Sequence, residues 1–112
     1  METTKYYKAT IDYGFIAPEE KQLRLEKASY CATGGLAVVA YLENGEEWDV
    51  ITVNLGPVPE GMAYIDTNNN PWAEKFLKKH KIAKPTGVVG HSGFCTYPLY
   101  MFDMTKFKEN PI

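Results

Sequence analysis

The chain has 112 residues and a mass of 12.6 kDa, the size of one domain, and a domain of this length buries roughly 65% of its unfolded surface, enough for a core without disulfides or metals. Hydrophobic residues at 45% and charged residues at 23% exclude wholesale disorder, and the longest apolar run, Leu36 to Leu42, falls far short of the roughly 20 residues that a membrane helix needs. A net charge of -2, with Arg24 the only arginine, argues against direct nucleic-acid binding, because phosphate and base-edge recognition favour the guanidinium fork.

Met1 to Tyr7 contains no apolar stretch of the kind that heads a secretory signal, so a cytoplasmic location is expected. Residues 7 to 15 alternate, predicting a strand with Tyr7, Ala9, Ile11, Tyr13 and Phe15 on one face. Pro18-Glu19-Glu20-Lys21 reads as a charged turn. Leu23 and Leu25, alternating with Arg24 and Glu26, predict a second strand. Asn44-Gly45 predicts a hairpin with a two-residue type I′ turn. That register sets Glu43 against Glu46, Tyr41 against Trp48, Val39 against Val50, Val38 against Ile51 and Leu36 against Val53. Leu36 to Leu42 is apolar on both faces, as a central strand would be. In its partner the apolar phase slips at Val50-Ile51, which implies a bulge or burial of both faces.

Gly56 to Gly61 reads as a turn and Met62 to Thr67 as a short strand. Asn70 as cap and Pro71 as first helical residue predict a helix near 71–81, with Trp72, Ala73, Phe76, Leu77 and His80 on its buried arc. Gly87, Gly90 and Gly93 predict a turning loop. Thr96 to Phe102 predicts the last strand, with Pro98 at an edge or near its beginning. The tail, 106–112, is expected to fray. The whole is expected to be one α+β domain over residues 1–112, a mostly antiparallel sheet of about five to six strands packed by one principal helix.

Two cysteines, Cys31 and Cys95, build neither a disulfide scaffold nor a four-ligand zinc site, and both are expected to be free, buried or half-buried thiols. His91 and Cys95 flank a short glycine loop. A thiolate nucleophile is the functional reading and turn geometry the plainer one, because no third orienting group is evident. His80 reads as a packed histidine near a helix end. HExxH, CxxC, EF-hand and phosphate-loop patterns are absent. No catalytic residue, metal or cofactor is therefore expected.

Charge is segregated. Between residues 43 and 66 the charged residues are Glu43, Glu46, Glu47, Asp49, Glu60 and Asp66; between 74 and 84 Glu74 faces Lys75, Lys78, Lys79, Lys81 and Lys84. Like charges opposed in a hairpin are mildly destabilising, so Glu43, Glu46, Glu47 and Asp49 are the expected surface for a protein partner. One alternative is a small-ligand or nucleotide pocket near Asp66, Asn68, Trp72 and His91. Another is a structural homo-oligomer.

The runs Trp48 to Leu55, Ala63 to Asn69, Lys84 to Gly87 and Ser92 to Tyr100 carry a resemblance. Over roughly residues 30 to 103 the chain resembles small domain-of-unknown-function proteins carried on conjugative elements, plasmids and phages of gut Firmicutes. The resemblance brings no catalytic residue. It implies an accessory protein of a bacterial mobile genetic element, and a counter-defence role, of the anti-restriction or anti-CRISPR type, exerted by protein binding.

Overall fold

The computed structural model describes residues 5–31 and 33–107. Alternating apolar residues form β1 (Tyr7–Ile11), with Tyr7, Ala9 and Ile11 buried and Lys8 and Thr10 exposed. The strand ends before Tyr13 and Phe15, contrary to the expected alternation through residue 15. Asp12 Oδ1 accepts the Gly14 amide at 2.8 Å, which bends the chain away, and Tyr13 and Phe15 are exposed. The expected turn at Pro18–Lys21 is instead the start of β2 (Glu19–Ser29), whose Glu19 and Glu20 pair with Ile11 and Thr10. Glu20 lies on the solvated face with Lys8, which it meets at 3.1 Å, and Glu19, on the face of Ile11, is exposed at the start of the strand. β2 is shared lengthwise, its first half paired with β1 and its second with β3 (Leu36–Tyr41).

β3 lies between β2 and β4 (Glu47–Val50) and buries Ala37, Val38 and Ala40. Val39 opposes Val50 as expected, but Tyr41 pairs with Glu47 rather than Trp48. The turn explains the difference. Leu42 N–H donates to Glu46 O and Gly45 N–H to Leu42 O, so Glu43, Asn44 and Gly45 close the loop. Gly45 alone of these has a positive φ, +92°, while the Asn44 side chain accepts the Glu46 amide at 2.9 Å. This is a three-residue loop with a glycine bulge, not a type I′ turn, and the extra residue displaces Trp48 from Tyr41.

Beyond Val50 the chain changes partners. β5 (Thr52–Val53) pairs with β6 (Met62–Ile65) and opens a second antiparallel sheet. Ile51, fully buried, stands at the crossing. Its N–H donates to Val38 O at 3.0 Å, and its carbonyl accepts the Asp66 amide at 2.9 Å. The departing strand leaves the Val38 amide without a ladder partner. Thr52 Oγ1 accepts that amide at 3.1 Å and bonds the Tyr30 hydroxyl at 2.8 Å. The slip at Val50-Ile51 is therefore a place where both faces are buried, Ile51 and Thr52 alike.

The second sheet runs β5-β6-β8-β7, with β7 (Ala83–Ser92) and β8 (Cys95–Phe102) forming a hairpin. Among the described residues eight strands thus replace the expected five to six. The predicted glycine loop is mostly strand. Gly87, φ +89°, sits at the register break between Pro85 and Val89. At Gly90 a Cβ would come within 2.7 Å of the Tyr64 ring, so only glycine fits without movement. Pro98 opposes Val89 just beyond the stretch of β8 paired with β6, where its missing N–H removes no bond of that ladder.

The helix α1 (Ala73–Lys79) is shorter than the 71–81 expected. Asn70 does not cap it with its side chain. Asn70 is buried, its backbone carbonyl accepts the Ala73 amide, and Trp72 occupies the cap position. The expected arc is buried at Trp72, Ala73, Phe76 and Leu77, while His80 is half-buried. These residues join Leu23, Leu25, Val38, Ile51, Ile65, Tyr100 and Phe102 in one core. Where the tail expected to fray begins, Met104–Lys106 is a short 3-10 turn and Phe107 is buried against the Phe102 ring. Residues 108–112 of that expectation lie outside the described residues. Among the described residues no helix is long and apolar enough to cross a membrane.

Two predictions follow from the buried hydroxyls of this core. Thr52→Val leaves the Val38 amide and the Tyr30 hydroxyl unpaired and should cost about 1–3 kcal/mol in urea unfolding, whereas Thr52→Ser, which keeps the oxygen, should cost less. Tyr100 is fully buried and its hydroxyl donates to Glu74 at 2.6 Å; burial and this bond both raise its pKa. A raised folded-state pKa means that the stability is fully present below about pH 10 and is lost as pH climbs above it. The thermal midpoint should therefore fall on the alkaline side of pH 10, and Tyr100→Phe should flatten that fall.

Candidate functional site

The acidic residues gather at the free end of the first sheet. Glu43 and Glu46 stand on the β3–β4 loop, Glu47 begins β4, and all three are exposed. Asp49 is half-buried, and its Oδ1 accepts the amide of its own neighbour Val50 at 2.8 Å. Glu43 and Glu47 are placed to meet solvent or a partner, whereas Glu46 also accepts the Asn44 side-chain amide at 3.2 Å and Asp49 is partly committed to its own backbone. None of the four forms an ion pair among the described residues; the acids that do are Glu19, Glu20 and Glu26. The tip is held rigidly. Trp48 stacks on Trp72 with ring centroids 5.2 Å apart, and Lys21 Nζ lies 5.8 Å from the Trp48 ring centroid. Arg24, the sole arginine, is used internally: it pairs with Glu26 and lies 4.5 Å from the Tyr41 ring centroid.

The alternative set is dispersed over several elements. Asp66 organises the turn before α1, accepting the Asn69 amide and side chain, and Asn68 is exposed in that turn. Trp72 points into the core beside Phe76 and Trp48. His91 is on edge strand β7 and bonds Thr96 at 3.1 Å, on the opposite face from Tyr97. The same alternation separates His91 from Cys95: Cys95 shares the face of Tyr97, whose hydroxyl pKa it raises by a hydrogen bond. Cys95 is a half-buried free thiol as expected, but Cys31 is free and exposed, because it lies in the turn after β2 rather than in a strand. Among the described residues no three His, Cys, Asp or Glu side chains are gathered as a metal site.

The lysine-rich segment forms a contrasting surface. Lys78, Lys81 and Lys84 surround a cavity of about 540 Å³ floored by Ile82, Ala83, Met101 and Phe102. Its one acid, Asp103, is engaged by Thr105, whose hydroxyl and amide lower the carboxyl pKa. A second groove, of about 610 Å³, separates β1 from α1 and is lined by Lys8, Thr10, Trp72, Lys75, Phe76 and Lys79 among others. Sequence reading missed this groove. Its only signal there was the alternation of β1, and nothing in that alternation says which strand ends at a sheet edge.

Residues 24–111 match the family described as Domain of unknown function (DUF4313), and the chain belongs to that family. No curated protein and no solved structure matches the chain.

The acidic tip depends on its glycine. At φ +92° a β-branched residue is strained, so Gly45→Val should lower unfolding stability by more than about 1 kcal/mol. Gly45→Asn, a residue more tolerant of positive φ, should lose less.

Proposed function

We propose that this DUF4313 protein is a non-enzymatic binding protein that engages a basic protein surface through the tip of its β3–β4 hairpin. The observation that carries this reading is the exposure of Glu43, Glu46 and Glu47 on a loop braced by the Trp48–Trp72 stack, with no cation paired to them among the described residues. A rigid tip of one charge steers association with a basic surface and loses little order on binding. The resemblance to proteins of conjugative elements, plasmids and phages supports an accessory role in the bacterial cytoplasm. Within that role it supports counter-defence, in which occupying a host protein is sufficient and no chemistry is required. The residues of the small-ligand alternative are spread over the turn, the helix and β7, which favours the hairpin.

The test begins with a partner recovered by affinity capture from the native host. Association should slow as salt rises, because exposed charges are screened beyond roughly 8–10 Å at physiological ionic strength. Glu46→Lys with Glu47→Lys should slow association more than it speeds dissociation. An unchanged on-rate in that variant, with a collapse in Lys78→Glu/Lys79→Glu, would move the contact to the helix.

A further inference from the structure

Each sheet ends in two outer strands, and an outer strand recruits a further strand unless it is short, charged or covered. Among the described residues three of these four edges are blunted. β1 has five residues, carries Lys8 and gives the Lys8 carbonyl to His80 Nε2–H at 2.7 Å. β4 has four residues and carries Glu47 and Asp49. β5 has two residues. β7 differs, with ten. Lys84 and Pro85 guard its first part, but nothing of the kind stands in its second, Val88 to Ser92. From Pro85 to Phe102 the chain holds no Asp, Glu, Lys or Arg, although these make up 23% of the whole, so the gap lies at the one long edge. Val88 and Val89 are 52% and 50% exposed, and Phe94, at the tip of the β7–β8 hairpin, is fully exposed. Apolar side chains thus stand where an unpaired edge ordinarily places charges.

The hairpin fixes which backbone groups of β7 face outward. Gly93-Phe94 is a two-residue loop with a positive φ, +61°, at Gly93 alone, the type II′ pattern, and Ser92 and Cys95 close it as a hydrogen-bonded pair. Alternation makes Gly90–Tyr97 the next bonded pair and leaves His91–Thr96 and Val89–Pro98 unbonded. Pro98, which has no N–H, fits an unbonded position. The N–H and C=O groups of Val89 and His91 therefore point away from β8, and they form no backbone bond elsewhere among the described residues. The Val88 amide, by contrast, donates to Thr86 Oγ1 at 3.1 Å. Left-handed glycines bound this extended run on both sides, Gly87 at φ +89° and Gly93 at φ +61°.

We propose that a second copy of the chain docks on this edge, β7 against β7 across a two-fold axis, joining the two β5-β6-β8-β7 sheets into one. Antiparallel pairing of a strand with its own copy is self-complementary, so each copy offers what the other accepts. One register suits the run. With Gly90 opposite Gly90 of the second copy, Val89 faces His91 and His91 faces Val89, and the two pairs exchange four main-chain hydrogen bonds. Sliding by two residues in either direction sets His91 against Gly87 or Val89 against Gly93, where a left-handed backbone breaks the ladder. The favoured register brings the Phe94 tip beside Thr86 and Gly87 of the second copy, and the space where a Gly87 side chain would stand is open. The missing charges also select the occupant. An edge without charge gives an acidic or basic segment nothing to pair with, whereas two like copies meet here with no like charges opposed. A contact of five residues a side with Phe94 added is at the small end of specific interfaces, so the dimer should be weak, with a dissociation constant of roughly micromolar order. It uses no residue of the acidic hairpin, so the failure of either contact leaves the other standing.

The test is sedimentation equilibrium of the full chain from about 1 µM to about 1 mM, a range that brackets weak association. The mass should rise from 12.6 kDa to twice that value and stop there, because a two-fold contact closes. Hydrogen exchange along the same dilution series, on unaltered protein, should show the Val89 and His91 amides gaining protection together while the amides of β1 stay unchanged. Val89→Lys, which places a charge on the exposed edge, should weaken the dimer more than about tenfold. It should leave the urea midpoint unchanged at concentrations where the wild type is monomeric. Glu46→Lys/Glu47→Lys should leave dimerisation as it is. The proposal is overturned if the mass stays at 12.6 kDa at the highest concentration, or if it climbs past the dimer. It is also overturned if a dimer forms with the Val89 and His91 amides unprotected, or if Val89→Lys dimerises as well as the wild type.

Discussion

Ile51 and Thr52 hold the two sheets together. A strand that leaves one sheet for another strips hydrogen bonds from the neighbour it abandons, and here that neighbour is Val38 in the middle of the first sheet. An unpaired amide at so buried a site costs about 1–3 kcal/mol. The Thr52 hydroxyl takes the amide, Ile51 keeps the Val38 carbonyl bonded, and the Ile51 carbonyl is already committed to Asp66 in the second sheet. One residue's main chain thus serves both sheets, while the next residue's side chain repairs the gap. The placement of β6 and of the turn leading to α1 follows from that joint, because Asp66 is fixed by Ile51 and in turn organises Asn69 and Asn70.

From the joint outward, aromatic contacts carry the order. Trp48 stacks on Trp72, Trp72 meets Phe76 edge-on, and Phe76 meets both Tyr7 and His80. This chain of rings ties the acidic hairpin, the helix and β1 to one another. It gives a seven-residue helix, too short to persist alone, a fixed seat. The rigidity of the hairpin tip and the width of the groove beside β1 are both consequences of this seat.

Local patterns in the sequence carry local structure well. The alternation of Tyr7, Ala9 and Ile11 is a strand, and the wheel of Trp72, Ala73, Phe76 and Leu77 is the buried side of a helix. Alternation misleads where a side chain competes with the ladder: Tyr13 and Phe15 continue the period, but Asp12 captures the Gly14 amide and ends the strand. Glycine misleads in the other direction. Gly90 reads as a loop residue until Tyr64 is seen to occupy the space of its Cβ, a contact between distant segments. The slip at Val50-Ile51 is visible as an irregularity, yet its meaning depends on Val38 and Asp66. The candidate surfaces divide in the same way. The acidic hairpin is a run of charges and is readable as such. The β1 groove exists because, among the described residues, β1 has no outer neighbour and α1 lies beside it.

The division into two sheets also orders events in time. The first sheet is drawn from a continuous stretch, Tyr7 to Val50, whereas the helix residues that help cover its inner face lie beyond residue 70. On a ribosome adding about 5–20 residues per second, the first sheet's chain is complete roughly one to five seconds before Leu77 is made. During that interval Leu23, Leu25 and Val38 have no lid. The nascent protein therefore passes through a stage in which the first sheet shows its apolar inside to solvent.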